Sequence, residues 1–307
     1  MKDPAFYSVP ENGVHSIITL NDRDHGRVRR VFSHAFSDRA LKEQEPLFLK
    51  YVDLLIKKLH EVVRKTPETE LNMVDFYNFT TFDIMGDLTF GEPLHLLDSS
   101  QYTPWVSAIF AGIKAGTILR VISHFPLIAF LLEQLLPRSL REKRRAHFQN
   151  SYERVDRRLE KELDRPDIWS LVLRQKDEQA LSIGEMHSNA NVFMIAGTET
   201  TATLLSGLTF YLLKNPKVMD KLVEELRTAC PTDEDITMER LAQLKYLNAC
   251  VEEGLRMYPP VPSGLPRLTP PEGAVICNRW VPGGVSASWL NSGMLTSNLC
   301  RRRQASM

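Results

Sequence analysis

The sequence has no CxxC pair among its four cysteines, Cys230, Cys250, Cys277 and Cys300. Cysteines spaced that way point to a reducing compartment rather than a disulfide framework. It also lacks HExxH, a Walker-type glycine loop and a GxSxG elbow. Zinc-protease, nucleotide-phosphate and hydrolase chemistries are therefore without support. It has no excess charge: 38 Lys+Arg balance 38 Asp+Glu. A nucleic-acid partner, which calls for a basic surplus, is not expected. No run reaches the roughly 18–20 apolar residues that span a bilayer. The nearest, Phe125 to Leu132, is short and contains Pro126. The opening MKDPAFYSVPENG has no signal-peptide h-region and reads like the inside of a domain. Internal repeats and low-complexity linkers are absent too.

The chain itself has 307 residues, 43% of them hydrophobic. That is enough for one large or two ordinary domains with a real core. Its organising stretch runs from Ser182 to Pro216. Ser182 and Glu185 have capping-box spacing and open a helix, which Asn215-Pro216 stops. The expected helix is roughly 50 Å long. Its middle, Ala196-Gly197-Thr198-Glu199-Thr200-Thr201, sets glycine, hydroxyls and a carboxylate between the apolar runs Val192 to Ile195 and Leu204-Leu205. Glycine there costs about 1 kcal/mol against alanine. The Thr200 hydroxyl is expected to turn back onto the Ala196 carbonyl. Two uses fit this patch: close helix packing, or a groove in which a small ligand receives protons through Glu199 and Thr200.

Around it the periodicity predicts more helices. Asn21 or Asp22 caps one through about Phe36, with the apolar stripe Val28, Phe32 and Ala35. His25 and Arg29 share a face of it, four residues apart. Further helices are expected over 40–66, over 72–91 ending at Gly91, and over a weakly charged 103–140. A highly charged helix from Arg138 to Arg165 reads as a solvated face. A short helix is expected near 167–176. Another runs from Val218 to Cys230, and one more from Met238 to Tyr258, with Leu244, Leu247, Val251 and Leu255 on one stripe. On the last helix Glu253 and Arg256 sit three apart, and a buried structural pair is expected. Arg267 falls on an extended segment, and EGAVIC with WVPGG suggests a hairpin containing Cys277. The Asn78-Phe79-Thr80 sequon lies inside an apolar helix and is discounted. The fold class is mainly α, with a small β region near the C-terminus.

Three segments in this order, DHGRVRRVFSHAFS, AGTETT and Glu253-x-x-Arg256 followed by MYPPVP, resemble cytochrome P-450, the haem-thiolate monooxygenases. The wording is closest to fungal, membrane-bound members. The resemblance runs from about Asp3 to Gly284. It implies a partial cytochrome P-450 domain over 1–284 and a non-homologous tail over 285–307. It implies heme b (iron protoporphyrin) as cofactor, with NADPH supplying electrons through a cytochrome reductase. The reaction implied is insertion of one oxygen atom from O2 into a lipophilic small molecule of the secondary-metabolic kind. Glu199 and Thr200 would relay protons. Ala196 and Gly197 would line the oxygen side, with Gly197 leaving room for dioxygen. His25, Arg29 and Arg267 would pair with haem propionates, since charge-assisted hydrogen bonds to carboxylates are strong. Glu253 and Arg256 would form a structural network. Residues 103–140 would cover the substrate channel and dip towards a membrane surface, at the cytosolic face of the endoplasmic reticulum.

The sequence departs from the family where the axial cysteine is expected. No FxxGxRxCxG pattern comes after Arg256, and Cys300 lacks its Phe-Gly lead-in and following glycine. Cys250 and Cys277 read as ordinary. The N-terminal anchor and the haem-cysteine loop are read as missing, leaving the haem side open and apolar surface exposed. Two readings result. One is a monooxygenase seen in part. The other is a catalytically inactive, truncated helical binding protein.

Overall fold

The computed structural model describes residues 1–287, apart from 5, 8, 9, 11, 124, 126–137, 162–166, 174–179, 263 and 264. Part of the expected 103–140 and 167–176 stretches, and Cys300 with most of the tail, lie outside the described residues. The helices are α1 (Asp22–Ser33), α2 (Asp38–Lys65), α3 (Met73–Phe90), α4 (Leu96–Ser99), α5 (Pro104–Ser123) and α6 (Arg138–Glu160). They continue as α7 (Ile168–Val172), α8 (Ile183–Lys214), α9 (Pro216–Ala229), α10 (Met238–Leu241) and α11 (Lys245–Met257). Two small antiparallel pairs complete the order: β1 (Arg267–Leu268) with β4 (Ser286–Ala287), and β2 (Ala274–Ile276) with β3 (Arg279–Val281).

The long central helix starts as its sequence dictates. The Ser182 amide donates to Glu185 Oε2 at 2.8 Å, and the Glu185 amide donates to Ser182 Oγ at 3.3 Å. Both halves of the capping box are present. At the far end Asn215 caps α8 while Pro216 opens α9, where a missing N–H does no harm. Asn21 accepts from the Asp24 amide and caps α1. Gly91, at φ 67°, closes α3 in the left-handed conformation that glycine adopts freely.

α3 lies along α8 and is buried on nearly every side. It carries carboxylates into the interior, each matched by donors. Asp83 accepts from the Leu96 and Leu97 amides at 3.0 and 2.9 Å and so starts α4. Asp87 accepts from the Tyr51 hydroxyl of α2 at 2.7 Å. Val28 and Phe32 of α1, and Ala35 just past its end, are buried as their stripe predicts, beside Phe82, Phe90, Trp169 and Met194. Asn78 is also buried, with its amide on the Tyr102 hydroxyl.

Two expectations change. The charged helix α6 is not simply a solvated face. Arg158 is 3% exposed and grips Asp167, 0% exposed, through two nitrogens. Arg154 donates to Glu92 at 2.7 Å. The expected helix from Met238 to Tyr258 is in fact two, α10 and α11. The Asn248 side-chain amide takes the carbonyls of Leu241, Ala242 and Leu244, which ends the first. Glu225 on α9 accepts the Tyr246 and Leu247 amides, which starts the second.

The hairpin forms as anticipated. Cys277 and Asn278, at φ 49° and 60°, make its two-residue turn between β2 and β3. The N-terminus adds a strand contact: Lys2 bridges Arg267 on β1, with backbone bonds between Met1 and Leu268.

Candidate functional site

The middle of α8 stays helical through Ala196 to Thr201. Two threonines turn their hydroxyls onto carbonyls four residues back. Thr198, fully buried, donates to Met194 O at 2.6 Å, and Thr200 donates to Ala196 O at 2.7 Å. That second bond is the one its sequence calls for. Ala196 and Thr200 are four apart and therefore share a face. Ala196 is exposed and Thr200 half-buried, so this face is open, small and carries one hydroxyl. Glu199 beside it is half-buried. Burial pushes its carboxyl above the usual carboxylate range, because a charged group loses hydration there. The arrangement is an acid whose proton is held more firmly than an ordinary carboxyl's, next to a hydroxyl able to accept and pass one.

Gly197 faces α3. A Cβ at this position would stand 2.6 Å from Met85 Sδ of α3. The glycine is used for close packing of α3 on α8, and the small residue facing open space is Ala196.

A second group of residues sits on α1 and β1. Phe32 of α1 stacks edge to face on Phe193 of α8, with centroids 4.8 Å apart, one turn before Ala196. From the same helix come His25, half-buried, and Arg29, exposed. Burial depresses the His25 pKa, and the charges of Lys2, Arg29 and Arg267 depress it further against the opposing pull of Asp22. The charges of Arg29 and Arg267, which the family resemblance groups with His25, thus both reach it, and Lys2 joins them through its strand contact with Arg267. Burial and the Arg267 charge likewise hold Lys2 below the ordinary lysine value. Arg267 donates to the Tyr7 hydroxyl and lies over the Tyr7 ring. No local pattern marks Lys2; only the strand contact with Arg267 reveals it. Such a cluster suits a ligand bearing carboxylates. Among the described residues no hydrogen bond or ion pair joins it to Glu199 or Thr200.

The Glu253–Arg256 pair forms, but it is not buried. The two side chains are 58% and 48% exposed, and they meet in a two-pronged contact at 2.7 and 2.6 Å. The stripe behind the buried expectation is itself rotated: Leu255 is exposed, while Cys250 and Gly254 face inwards.

The described cysteines supply no metal ligand set. Cys250 is buried in α11, and burial raises its thiol pKa. Cys277 is exposed in the hairpin turn and Cys230 caps α9. Among the described residues no group of three His, Cys, Asp or Glu side chains could hold a metal ion.

Comparison with known proteins adds a second kind of observation. The family model described as Cytochrome P450 matches residues 1–294, which carries the likeness beyond Gly284. The chain is similar to cytochrome P450 monooxygenase efuB of Hormonema carpetanum, 54% identical over 290 residues. That match covers 94% of this chain and 57% of that protein. It is 53% identical over 265 residues to cytochrome P450 monooxygenase FUM2 of Gibberella moniliformis, covering 86% of this chain and 56% of that one. To astJ of Aspergillus oryzae, also a cytochrome P450 monooxygenase, it is 45% identical over 287 residues, 94% of this chain and 57% of the relative. The chain therefore spans somewhat more than half the length of the curated relatives it matches.

Proposed function

This chain belongs to the cytochrome P450 family, and on that premise we propose that it supplies the proton-relay helix and the carboxylate cradle of a haem-dependent monooxygenase. The reaction proposed is insertion of one atom of O2 into a lipophilic small molecule of secondary metabolism. The observation that carries the reading is the Thr200 bond to Ala196, on an open small-residue face beside a carboxyl that favours its proton. Haem, the family's cofactor, would supply the dioxygen and electron-transfer chemistry when bound.

The chain's own residues have four tasks. Arg29, Arg267 and Lys2 neutralise and orient carboxylates, and His25, whose pKa is lowered by burial and these cations, can donate a hydrogen bond to one of them. Ala196 leaves the α8 face flat enough for a planar group. Glu199 holds a proton near that face. The Thr200 hydroxyl accepts a proton and, on leaving the Ala196 carbonyl, donates its own to an oxygen seated there. Positioned acids of this kind contribute about 10²- to 10⁴-fold. Gly197 serves this site indirectly, by letting α3 press against α8. Glu253 and Arg256 are proposed as a structural network, and the described cysteines are not proposed as iron ligands.

The finer points belong to the same proposal. NADPH is taken as the electron source, through a cytochrome reductase. Residues 103–140 are taken to face the substrate path and a membrane surface, at the cytosolic side of the endoplasmic reticulum. Among the described residues no helix is long and apolar enough to cross a membrane. The domain, expected over 1–284, is taken to extend through β4 to about residue 294, where the family match ends. A helical binding protein without oxygen chemistry is less well supported, since identity to proteins named monooxygenases extends over 290 residues.

The test is NADPH- and O2-dependent turnover by the full-length gene product, comparing wild type with Thr200→Ala and Glu199→Gln. Each variant is expected to keep consuming NADPH while product falls about tenfold or more and hydrogen peroxide rises. Unchanged product in both variants would remove the proton-relay role.

A further inference from the structure

One residue, Ile17, joins the central helix to the cation cluster through the two peptide groups that flank it. Asn189 of α8 is 0% exposed, and both ends of its amide are occupied. Its Nδ2 donates to the Glu185 carbonyl at 2.7 Å, and its Oδ1 accepts the Ile17 amide at 2.8 Å. The carbonyl of that same residue, Ile17, accepts from Lys2 Nζ at 3.0 Å. Lys2 in turn bridges Arg267 through the backbone. The loop around Ile17 is sewn to α8 next door as well. Asn12 donates to the Gly184 carbonyl at 3.0 Å, and Ser188 donates to Asn12 Oδ1 and the Val14 carbonyl at 2.9 Å.

Resting on the porphyrin reading above, we propose that Lys2 is a further carboxylate-binding residue of the cluster, and that Asn189 is the positioning residue that holds it there through the Ile17 backbone. Three cations, Lys2, Arg29 and Arg267, act on His25 against one anion, Asp22. Like charges held together are unfavourable unless something anionic neutralises them. Around His25 the cations outnumber the anion, and an anionic ligand would offset them. An ammonium on a flexible stem is ordinarily free to swing into water. Here the Ile17 carbonyl uses one of its three N–H groups and leaves two, and the amide of that same residue is held by the buried Asn189. An amide with both ends satisfied in the core has one stable orientation, and losing it would leave the Ile17 N–H without its partner.

The experiment titrates the 307-residue chain with metal-free protoporphyrin IX and with its dimethyl ester, following tryptophan fluorescence. Neither probe needs an iron ligand, and only the first carries carboxylates. Wild type is expected to bind the diacid at least about tenfold more tightly than the diester. Equal binding, or none, overturns the carboxylate reading and this inference with it. If the preference is seen, Lys2→Met should weaken the diacid about tenfold, leave the diester unchanged, and be largely rescued by Lys2→Arg. Asn189→Ala should weaken only the diacid and add nothing in the Lys2→Met background. Should that variant not fold, Asn189→Ser, too short to reach Ile17, reads the same cycle. A preference that survives Lys2→Met leaves the cradle standing and overturns the role of Lys2. Losses at residue 189 that strike diacid and diester alike, or that add to Lys2→Met, reduce Asn189 to a structural residue and overturn its positioning role.

Discussion

Glu199 shows what one residue's surroundings can do. Burial raises its carboxyl pKa. The folded chain therefore keeps that proton to a higher pH than the unfolded chain does. Ionisation then opposes folding: stability falls as pH rises from the ordinary carboxylate range through the raised folded value, and is level above it. Glu199→Gln removes the titration. Its stability relative to wild type is expected to be greater at about pH 8 than at about pH 4, read from urea midpoints at both. A difference that does not move with pH contradicts the assignment. At this scale much of the site was legible. Thr200 and Ala196 are four apart, so their bond follows from helix geometry alone. Gly197 was not legible, because what it meets is Met85, brought by another helix. Lys2 was hidden for the same reason, since its partners Ile17 and Arg267 come from a loop and a strand.

Elements were legible where their signals are local. The Ser182–Glu185 box, the Asn21 cap and the Gly91 stop each lie within one turn of the end they define. The break between α10 and α11 depends on Glu225, from a different helix, and could not be read from the stripe of leucines. The stripe misled again at Glu253 and Arg256, whose face is exposed. Likewise, a run of charges on α6 conceals one buried contact. Arg158→Met leaves the Asp167 carboxylate in the core with its main cation gone. Removing one member of a buried pair typically costs about 3–5 kcal/mol. Asp167 also caps α7 through the Ser170 amide at 2.7 Å, so that short helix should loosen with it. Urea unfolding of Arg158→Met is expected to show a loss of that size; a loss under about 1 kcal/mol would place the pair among ordinary surface contacts.

For the whole molecule, the mainly helical plan and the small β region near the C-terminus follow from periodicity and turn chemistry, and the structure agrees. The family follows from three motifs whose order matters more than any one of them, and the comparisons agree. The sequence also leads one to expect an open apolar surface. Phe210 and Leu213 at the end of α8, and Leu255, Tyr258, Val261 and Leu265 at and beyond the end of α11, are all exposed. Large contiguous apolar surface promotes association. The 307-residue chain is expected to self-associate with rising concentration, as light scattering would show. A chain that stays monomeric at high concentration would mean these residues form no sticky patch.

All three scales bear on one proposal: a planar dicarboxylate would be held by the Ala196–Thr200 face of α8 together with Lys2, His25, Arg29 and Arg267. The most direct test is a haemin titration of the chain beside Ala196→Trp, followed by absorbance, with thermal melts confirming that both are folded. Ala196 is exposed, so the substitution should leave the fold intact and fill the face. The account predicts one equivalent bound by wild type and at least about tenfold weaker binding by the variant. Equal binding by the two would place the ligand elsewhere and contradict it.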